Sequence, residues 1–332
     1  MRVVITGASG FIGSHLTAAL LARGTLAGRG GAQHTIREIV AIDVLPPRPE
    51  FAADARLRGV IGDASDAPVV ERLLQGGVDS VFALGATLTS DAEAHFAHGM
   101  EVNLHGMLRL LEACRLQADV PRFVFTSSIA AFGGPLPETV NDDQPLTPQT
   151  SYGMQKAVNE LLINDYSRRG HVDGRTLRLP IVLVRPGAPG SSISDRVAGI
   201  VREPLRGHDM VCPLRPDTLI PIASARAIAR ALVQVHDLPA SAFGHTRSMN
   251  LPSLSVTVSE LVHAVETLAQ RRAWVRPMGR ITWQHDAAMQ AIVSAWPQRF
   301  ASARAEALGV RGDSSVDDII GHFIDDYLLA SA

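Results

Sequence analysis

The sequence predicts an α/β fold, a doubly wound parallel sheet followed by a smaller C-terminal region. Three observations carry that reading. Val3, Val4 and Ile5 open the chain as a short run of β-branched residues, which suits a strand buried on both faces. Gly7, Gly10 and Gly13 follow at once, and Phe11 to Leu21 then places apolar residues at helical spacing. From there to about Val184, short apolar runs alternate with helical patterns, as a parallel sheet covered on both faces requires.

Strand, glycine turn and helix in that order make a phosphate site. The turn needs torsions that glycine adopts cheaply, and a missing Cβ lets a pyrophosphate approach the helix N-terminus, where free N–H groups and the dipole favour anions. A tight turn built for packing alone would also select glycine. The position at the start of the chain and the flanking elements favour a dinucleotide.

Taken in order, Gly24 to Thr35 reads as a glycine-rich loop and Glu38 to Asp43 as the second strand. Asp43 ends that strand, where a dinucleotide fold places an acid against the adenosine ribose. Its separation from the glycines exceeds the usual roughly twenty residues, and the inserted loop accounts for the excess. The competing reading is an ordinary turn residue. Pro46, Pro47 and Pro49 then break the chain, and Leu57 to Asp63 is a third strand. Asp66 and Pro68 start a helix running to about Gln75. Ser80 to Leu84 is the fourth strand, ending in the small residues Gly85 and Ala86.

Ala92 to Ala118 is predicted helical with Asn103 inside it, and Arg122 to Phe125 is a strand leading into Thr126, Ser127 and Ser128. Phe132 to Pro148 is loop, Ser151 to Arg169 a long helix, and Thr176 to Val184 a strand. Pro180 inside that strand removes a ladder donor, so a bulge or local break is expected, of the kind found beside ligands. Beyond Arg185-Pro186-Gly187 the alternation weakens. Helices are expected within Ser191–Cys212, over Ser224–Val235, and over Thr257–Gln270, the last with Thr257 and Glu260 as a capping box. The tail, with Trp283, Trp296 and helices near Ala301–Leu308 and Val316–Leu329, reads as a small lid. The expected division is residues 1–185 for the cofactor, with 215–250 returning to them, and 186–214 plus 251–332 for the substrate.

Composition excludes several classes. A content of 46% hydrophobic and 19% charged residues describes a globular chain rather than a disordered one. A net charge of −2 gives no reason to expect a nucleic-acid or membrane partner. Cys114 and Cys212 are the only cysteines, which excludes a disulfide framework and fits a reducing cytosol, and no ligand spacing suggests a metal. With no signal peptide and no run of transmembrane length, the expected location is cytoplasmic.

Tyr152 and Lys156 lie one helical turn apart on one face. A tyrosine with a reference pKa near 10 is a poor base at neutral pH. A neighbouring ammonium and a cationic nicotinamide both favour the phenolate. The serines closing the preceding strand can hold a substrate oxygen. Either half of this pattern alone is common by chance; the combination with the glycine turn is not.

TGASGFIG, GDASD, FTSSIAAFG and YGMQK together resemble the extended short-chain dehydrogenase/reductase family, and SVTVSEL and the RAEALGV region carry the likeness over nearly the whole chain. The resemblance implies a Rossmann-type sheet with a smaller C-terminal substrate-binding domain, NAD as cofactor, and Ser128, Tyr152 and Lys156 as catalytic triad. Ser128 is preferred to Ser127 because it matches the last serine of the family's cluster. Gly7, Gly10, Phe11, Ile12 and Gly13 would surround the pyrophosphate, Asp43 would meet the ribose, and Asp63 with Ala64 the adenine. Leu84, Gly85, Ala86, Leu179 and Pro180 would line the cofactor together with Tyr152 and Lys156, and Asn103 matches a helix asparagine that supports the site. Thr89 would join Ser128, Tyr152 and Arg185 around the substrate. The family's usual histidine before the leucine is replaced by Ala83, and its usual tyrosine by Phe132, departures that bear on substrate orientation.

FGGPLPE, TPQTSYGMQK, NDYSRRG, LRLPIVLVRPG and REPL are similar to the branch that oxidises four-carbon sugar acids. That likeness implies NAD-dependent oxidation of a small hydroxy acid at the alcohol beside its carboxylate. Arg185 is the candidate for gripping the carboxylate through a bidentate pair; a structural ion pair is the alternative. A nucleotide-sugar epimerase or dehydratase with tightly bound NAD is the rival enzyme, though 5% aromatic content argues weakly against base stacking. A redox-sensing NAD-binding regulator comes third, because such proteins tend to lose the tyrosine or lysine. A homodimer is expected through Leu108 and Leu111 on one helix and Val158, Leu161 and Leu162 on another.

Overall fold

The computed structural model describes residues 1–190, 192–271 and 277–329. The positions 191, 272–276 and 330–332, which fall in the segments expected to serve the substrate, lie outside the described residues.

Seven strands build the main sheet: β1 (Arg2–Thr6), β2 (Glu38–Asp43), β3 (Leu57–Ile61), β4 (Ser80–Ala83), β5 (Arg122–Ser128), β6 (Asp173–Leu179) and β7 (Ser248–Asn250). Their spatial order is β3-β2-β1-β4-β5-β6-β7, all pairs parallel. This is the doubly wound Rossmann-type arrangement, with the switch in direction between β1 and β4. Side chains alternate across it. Val3 and Ile5 join Leu16 and Leu20 of α1 (Phe11–Arg23) in one apolar cluster, while Val4 joins Val70, Leu111 and Ile163 in the cluster on the opposite face.

The helices of the second face are α2 (Ala67–Leu74), α3 (Gly106–Arg115) and α4 (Ser151–Arg168). Leu111 is fully buried there, so it offers nothing to a second copy, whereas Leu108 and Leu161 point outward at 38% and 69% exposure.

The break expected at Pro180 is present. β6 ends at Leu179, and beyond the proline Ile181–Leu183 pairs instead with Leu219–Ser224, which also pairs antiparallel with Leu254–Thr257. A third core surrounds this small sheet, formed by α5 (Ile193–Leu205), α7 (Val258–Arg271) and the Val316–Phe323 helix. Between them α6 (Ala225–Asp237) returns to the first face, placing Ile228, Leu232 and Val235 against α1. The capping box forms at α7: Glu260 N–H donates to Thr257 Oγ1 at 3.1 Å, and Thr257 N–H to Glu260 Oε2 at 2.7 Å.

Two local expectations are corrected and one element is new. The Gly24–Thr35 loop holds a hairpin, Thr25–Ala27 against Gln33–Thr35. The 92–118 helix is broken into Thr89–Ala94, Phe96–Gly99, a π-turn over Met100–His105, and α3. The π-turn coincides with Asn103, whose buried side chain is drawn into bonds outside the helix. Met210–Cys212 and Ile281–Trp283 form a short parallel pair that no periodicity announced.

Candidate active site

The glycine turn closes against the neighbouring strand end. Gly7 sits at φ 68°, and a Cβ there would come 2.7 Å from the Gly85 nitrogen. A Cβ on Gly13 would lie 2.1 Å from the Gly7 carbonyl oxygen. Both positions therefore require glycine, and together they bring the N-terminus of α1 to the switch point between β1 and β4. Gly10 caps α1 without a side-chain bond, and no acid occupies the first turn. The free N–H groups open into a cleft of about 490 Å³. A helix start with no side-chain cap bond and no acid, facing such a cavity, fits a pyrophosphate.

Gly7, Gly10, Phe11, Ile12, Gly13, Asp43, Asp63, Ala64, Leu84, Gly85, Ala86 and Arg185 all line this cleft. Asp43 ends β2, and its carboxylate accepts the Ser9 N–H at 3.0 Å and the Leu45 N–H at 3.1 Å, so the acid is fixed beside the glycine turn. Asp63 accepts from the Ser65 N–H and hydroxyl, both at 2.8 Å. These groups fit the polar half of a dinucleotide. Val102, Met107 and Leu110, which the sequence alone did not single out, supply apolar wall. Their signal was the helical spacing of apolar residues around Asn103.

Ser128, Tyr152 and Lys156 come together beside the cleft rather than in its wall. Register pairs Ala83 with Phe125, so Ser128 and Ala86 each lie three residues past adjacent strand positions. The Ser128 hydroxyl lies near enough to the Tyr152 phenol to favour its ionised form. Burial pushes Tyr152 up to about 12, and the nearby Ser128 hydroxyl pulls the other way. Lys156 Nζ donates to the Thr126 carbonyl at 2.9 Å and lies 5.5 Å from the Tyr152 ring centroid. Burial brings Lys156 down to about 7, against the opposing charge of Glu160.

The two serines have different surroundings. The Ser127 hydroxyl donates to Glu160 Oε1 at 2.5 Å, and Glu160 is held by the Arg178 guanidinium at 2.8 Å. Ser128 is half-buried, and its hydroxyl also accepts the Ala130 N–H at 3.1 Å. Phe132, where the family's usual tyrosine would stand, packs its ring 5.0 Å from the Arg178 guanidinium carbon.

Asn103 does not reach the cleft wall. Its side-chain oxygen accepts the Thr87 N–H at 2.9 Å and its amide donates to Gln155 Oε1 at 2.7 Å, tying the strand end after β4 to α4. Leu179, Pro180 and Thr89 also lie outside the wall; Thr89 begins the Thr89–Ala94 helix just after the lining residue Leu88. Arg185 lines the cleft, and among the described residues no hydrogen bond or ion pair engages its guanidinium. Its charge nevertheless acts on the nearby Asp195, which lines the same cleft.

Among the described residues no cluster of histidine, cysteine and acidic side chains could hold a metal ion, and no helix is long and apolar enough to cross a membrane.

Comparison with known proteins adds three findings. The pattern of the NAD dependent epimerase/dehydratase family matches residues 3–239. The chain is 43% identical over 330 residues to D-erythronate dehydrogenase from Cupriavidus necator, covering 99% of this chain and 100% of that one, and 36% identical to the Haemophilus influenzae enzyme of the same name, covering 98% and 99%. A crystal structure named as a nucleoside-diphosphate-sugar epimerase, from Agrobacterium tumefaciens, superposes with a TM-score of 0.90 at 34% identity, covering 99% of this chain and 94% of that one.

Proposed function

Because the chain belongs to the NAD dependent epimerase/dehydratase family and is an NAD-dependent oxidoreductase, we propose that it oxidises the secondary alcohol of a small sugar acid. The substrate class is D-erythronate-like, and the C2 hydroxyl becomes a 2-keto acid. The observation that carries this is full-length similarity to two D-erythronate dehydrogenases, joined to the Ser128 hydroxyl beside the Tyr152 phenol with Lys156 one turn away.

Bound NAD supplies the acceptor for the hydride that leaves the substrate carbon. The turn from Gly7 to Gly13 holds its pyrophosphate, Asp43 the ribose, and Asp63 with Ala64 the adenine. Ser128 fixes the reacting oxygen and Tyr152 accepts the hydroxyl proton. Lys156 brings positive charge beside the phenol as it ionises. Arg185, its guanidinium free of hydrogen bonds and ion pairs among the described residues, grips the substrate carboxylate. Residues 1–185 and 215–250 serve the cofactor, and 186–214 with 251–332 the substrate. The protein acts as a cytoplasmic homodimer joined along α3 and α4.

A screen of four-carbon sugar acids with NAD, followed by the absorbance of reduced nicotinamide, tests the reading. Stoichiometric NADH with D-erythronate is the expected result. The second reading, a nucleotide-sugar epimerase, is favoured by the close superposition on the Agrobacterium tumefaciens epimerase structure, and isomerised nucleotide sugar without net NADH would select it.

A further inference from the structure

The loop from Arg185 to Gly190 is fastened at three points by α5 and the residue that caps it. Arg202 Nη1 donates to the Arg185 carbonyl at 2.9 Å, Arg206 Nη1 donates to the Gly187 carbonyl at 2.6 Å, and Asp195 accepts the Gly190 N–H. The helix is itself immobilised, because Val197, Ile200, Val201 and Leu205 are fully buried in the third core. The backbone of Arg185 is thus referenced to the C-terminal region, while its side chain faces the cofactor cleft.

Charge gives the same helix a second role. Asp195 lines the cleft beside Arg185, and a bare carboxylate there would oppose an anionic substrate. Arg202 meets both its oxygens, at 2.8 and 3.3 Å, and also bonds Glu203, which His208 contacts from its other side at 3.1 Å. Arg202 is only 1% exposed, so these bonds act with little solvent screening. One buried guanidinium therefore holds the Arg185 backbone and cancels the acid beside it.

We propose that Arg202 is a positioning residue for substrate recognition, fixing Arg185 and neutralising Asp195 so that the Arg185 guanidinium is left to meet the substrate's carboxylate. This rests on the reading that Arg185 grips a hydroxy acid. A misplacement of about 1 Å in a recognition group can lower catalytic efficiency on the order of 10²-fold. An uncharged amide of the same acid does not use the ionic grip and should be affected much less.

The test compares kcat/KM for D-erythronate and its amide at saturating NAD, in the wild type, Arg202→Met, Arg202→Lys and Arg185→Met. Arg202→Met should raise KM for the acid on the order of 10²-fold, with a far smaller change for the amide and an unchanged Kd for NAD. Arg202→Lys keeps a charge against Asp195 but lacks the fork that also reaches the carbonyl, so its KM should lie between. If Arg202→Met does not fold, the lysine variant carries the test, and an acid KM equal to wild type overturns the proposal. Equal losses for acid and amide would overturn it too, since they indicate general loosening. Arg185→Met separates the two levels. If it leaves the preference for acid intact, the carboxylate-grip reading fails; if it abolishes that preference while Arg202→Met retains it, only the role of Arg202 fails.

Discussion

Lys156 Nζ lies 5.5 Å from the centre of the Tyr152 ring and donates a hydrogen bond, at 2.9 Å, to the Thr126 carbonyl. The amine is buried, which brings it from 10.5 down to about 7. Between those two values the unfolded chain binds a proton that the folded chain does not, so this group makes stability rise with pH from about 7 towards 10.5. Below about 7 both states are protonated and the burial penalty is present in full. Denaturant titrations of the protein without NAD should therefore show a positive slope across that window, and Lys156→Met should flatten it. A slope unchanged in the variant would remove Lys156 as its source.

Ser127 and Ser128 are adjacent but should respond differently to alanine. Ser127→Ala leaves Glu160 and Arg178 buried with one partner fewer, a loss of about 1–3 kcal/mol in stability, with kcat near normal. If Ser128 holds the reacting oxygen as proposed, Ser128→Ala should lower kcat on the order of 10²-fold, with little change in stability. Urea titration and steady-state rates on the two variants check this, and the reverse pattern would make Ser127 the reactive one.

Asp43 should make the enzyme prefer NAD to NADP. Its carboxylate is pinned by the Ser9 and Leu45 N–H groups at the cleft, a place from which it would accept from ribose hydroxyls and repel a 2′-phosphate. Arg48, near enough in sequence to rescue that phosphate, acts by its charge on Tyr327 and lies 3.7 Å from Glu50. Higher kcat/KM with NADP would contradict this role of Asp43.

Leu108 and Leu161 stand exposed on α3 and α4, and pairing across a two-fold axis would bury them in a four-helix bundle. The expected solution mass at micromolar concentration is that of two chains, and Leu161→Glu should shift it to one. A wild-type monomer would contradict the bundle.

Much of the first half of the chain, and of the cleft it lines, was legible because its signals are local. Gly7, Gly10 and Gly13 announce a turn, Asp43 a strand end, and Tyr152 with Lys156 a helix face. The break at Pro180 was legible for the same reason, since a missing N–H must end a ladder wherever it falls. The hairpin at Thr25–Ala27 was hidden by its glycines, and the π-turn around Asn103 depends on distant partners, Thr87 and Gln155. The burial of Leu111 likewise follows from which face of α3 meets the sheet, and a leucine pattern alone does not choose between sheet and partner. Arg202 was invisible for the strongest version of that reason: its meaning comes from Arg185, Asp195 and Glu203 meeting in space.

Tyr152 is proposed to take the hydroxyl proton while NAD-dependent oxidation of a small sugar acid proceeds. The most direct measurement is kcat/KM for D-erythronate with NAD in the wild type and in Tyr152→Phe, alongside a titration of NAD binding to each. Losing the general base should lower turnover on the order of 10²–10⁴-fold while the Kd for NAD stays unchanged. Near-normal turnover in Tyr152→Phe would contradict the account, because another group would then have to be the base.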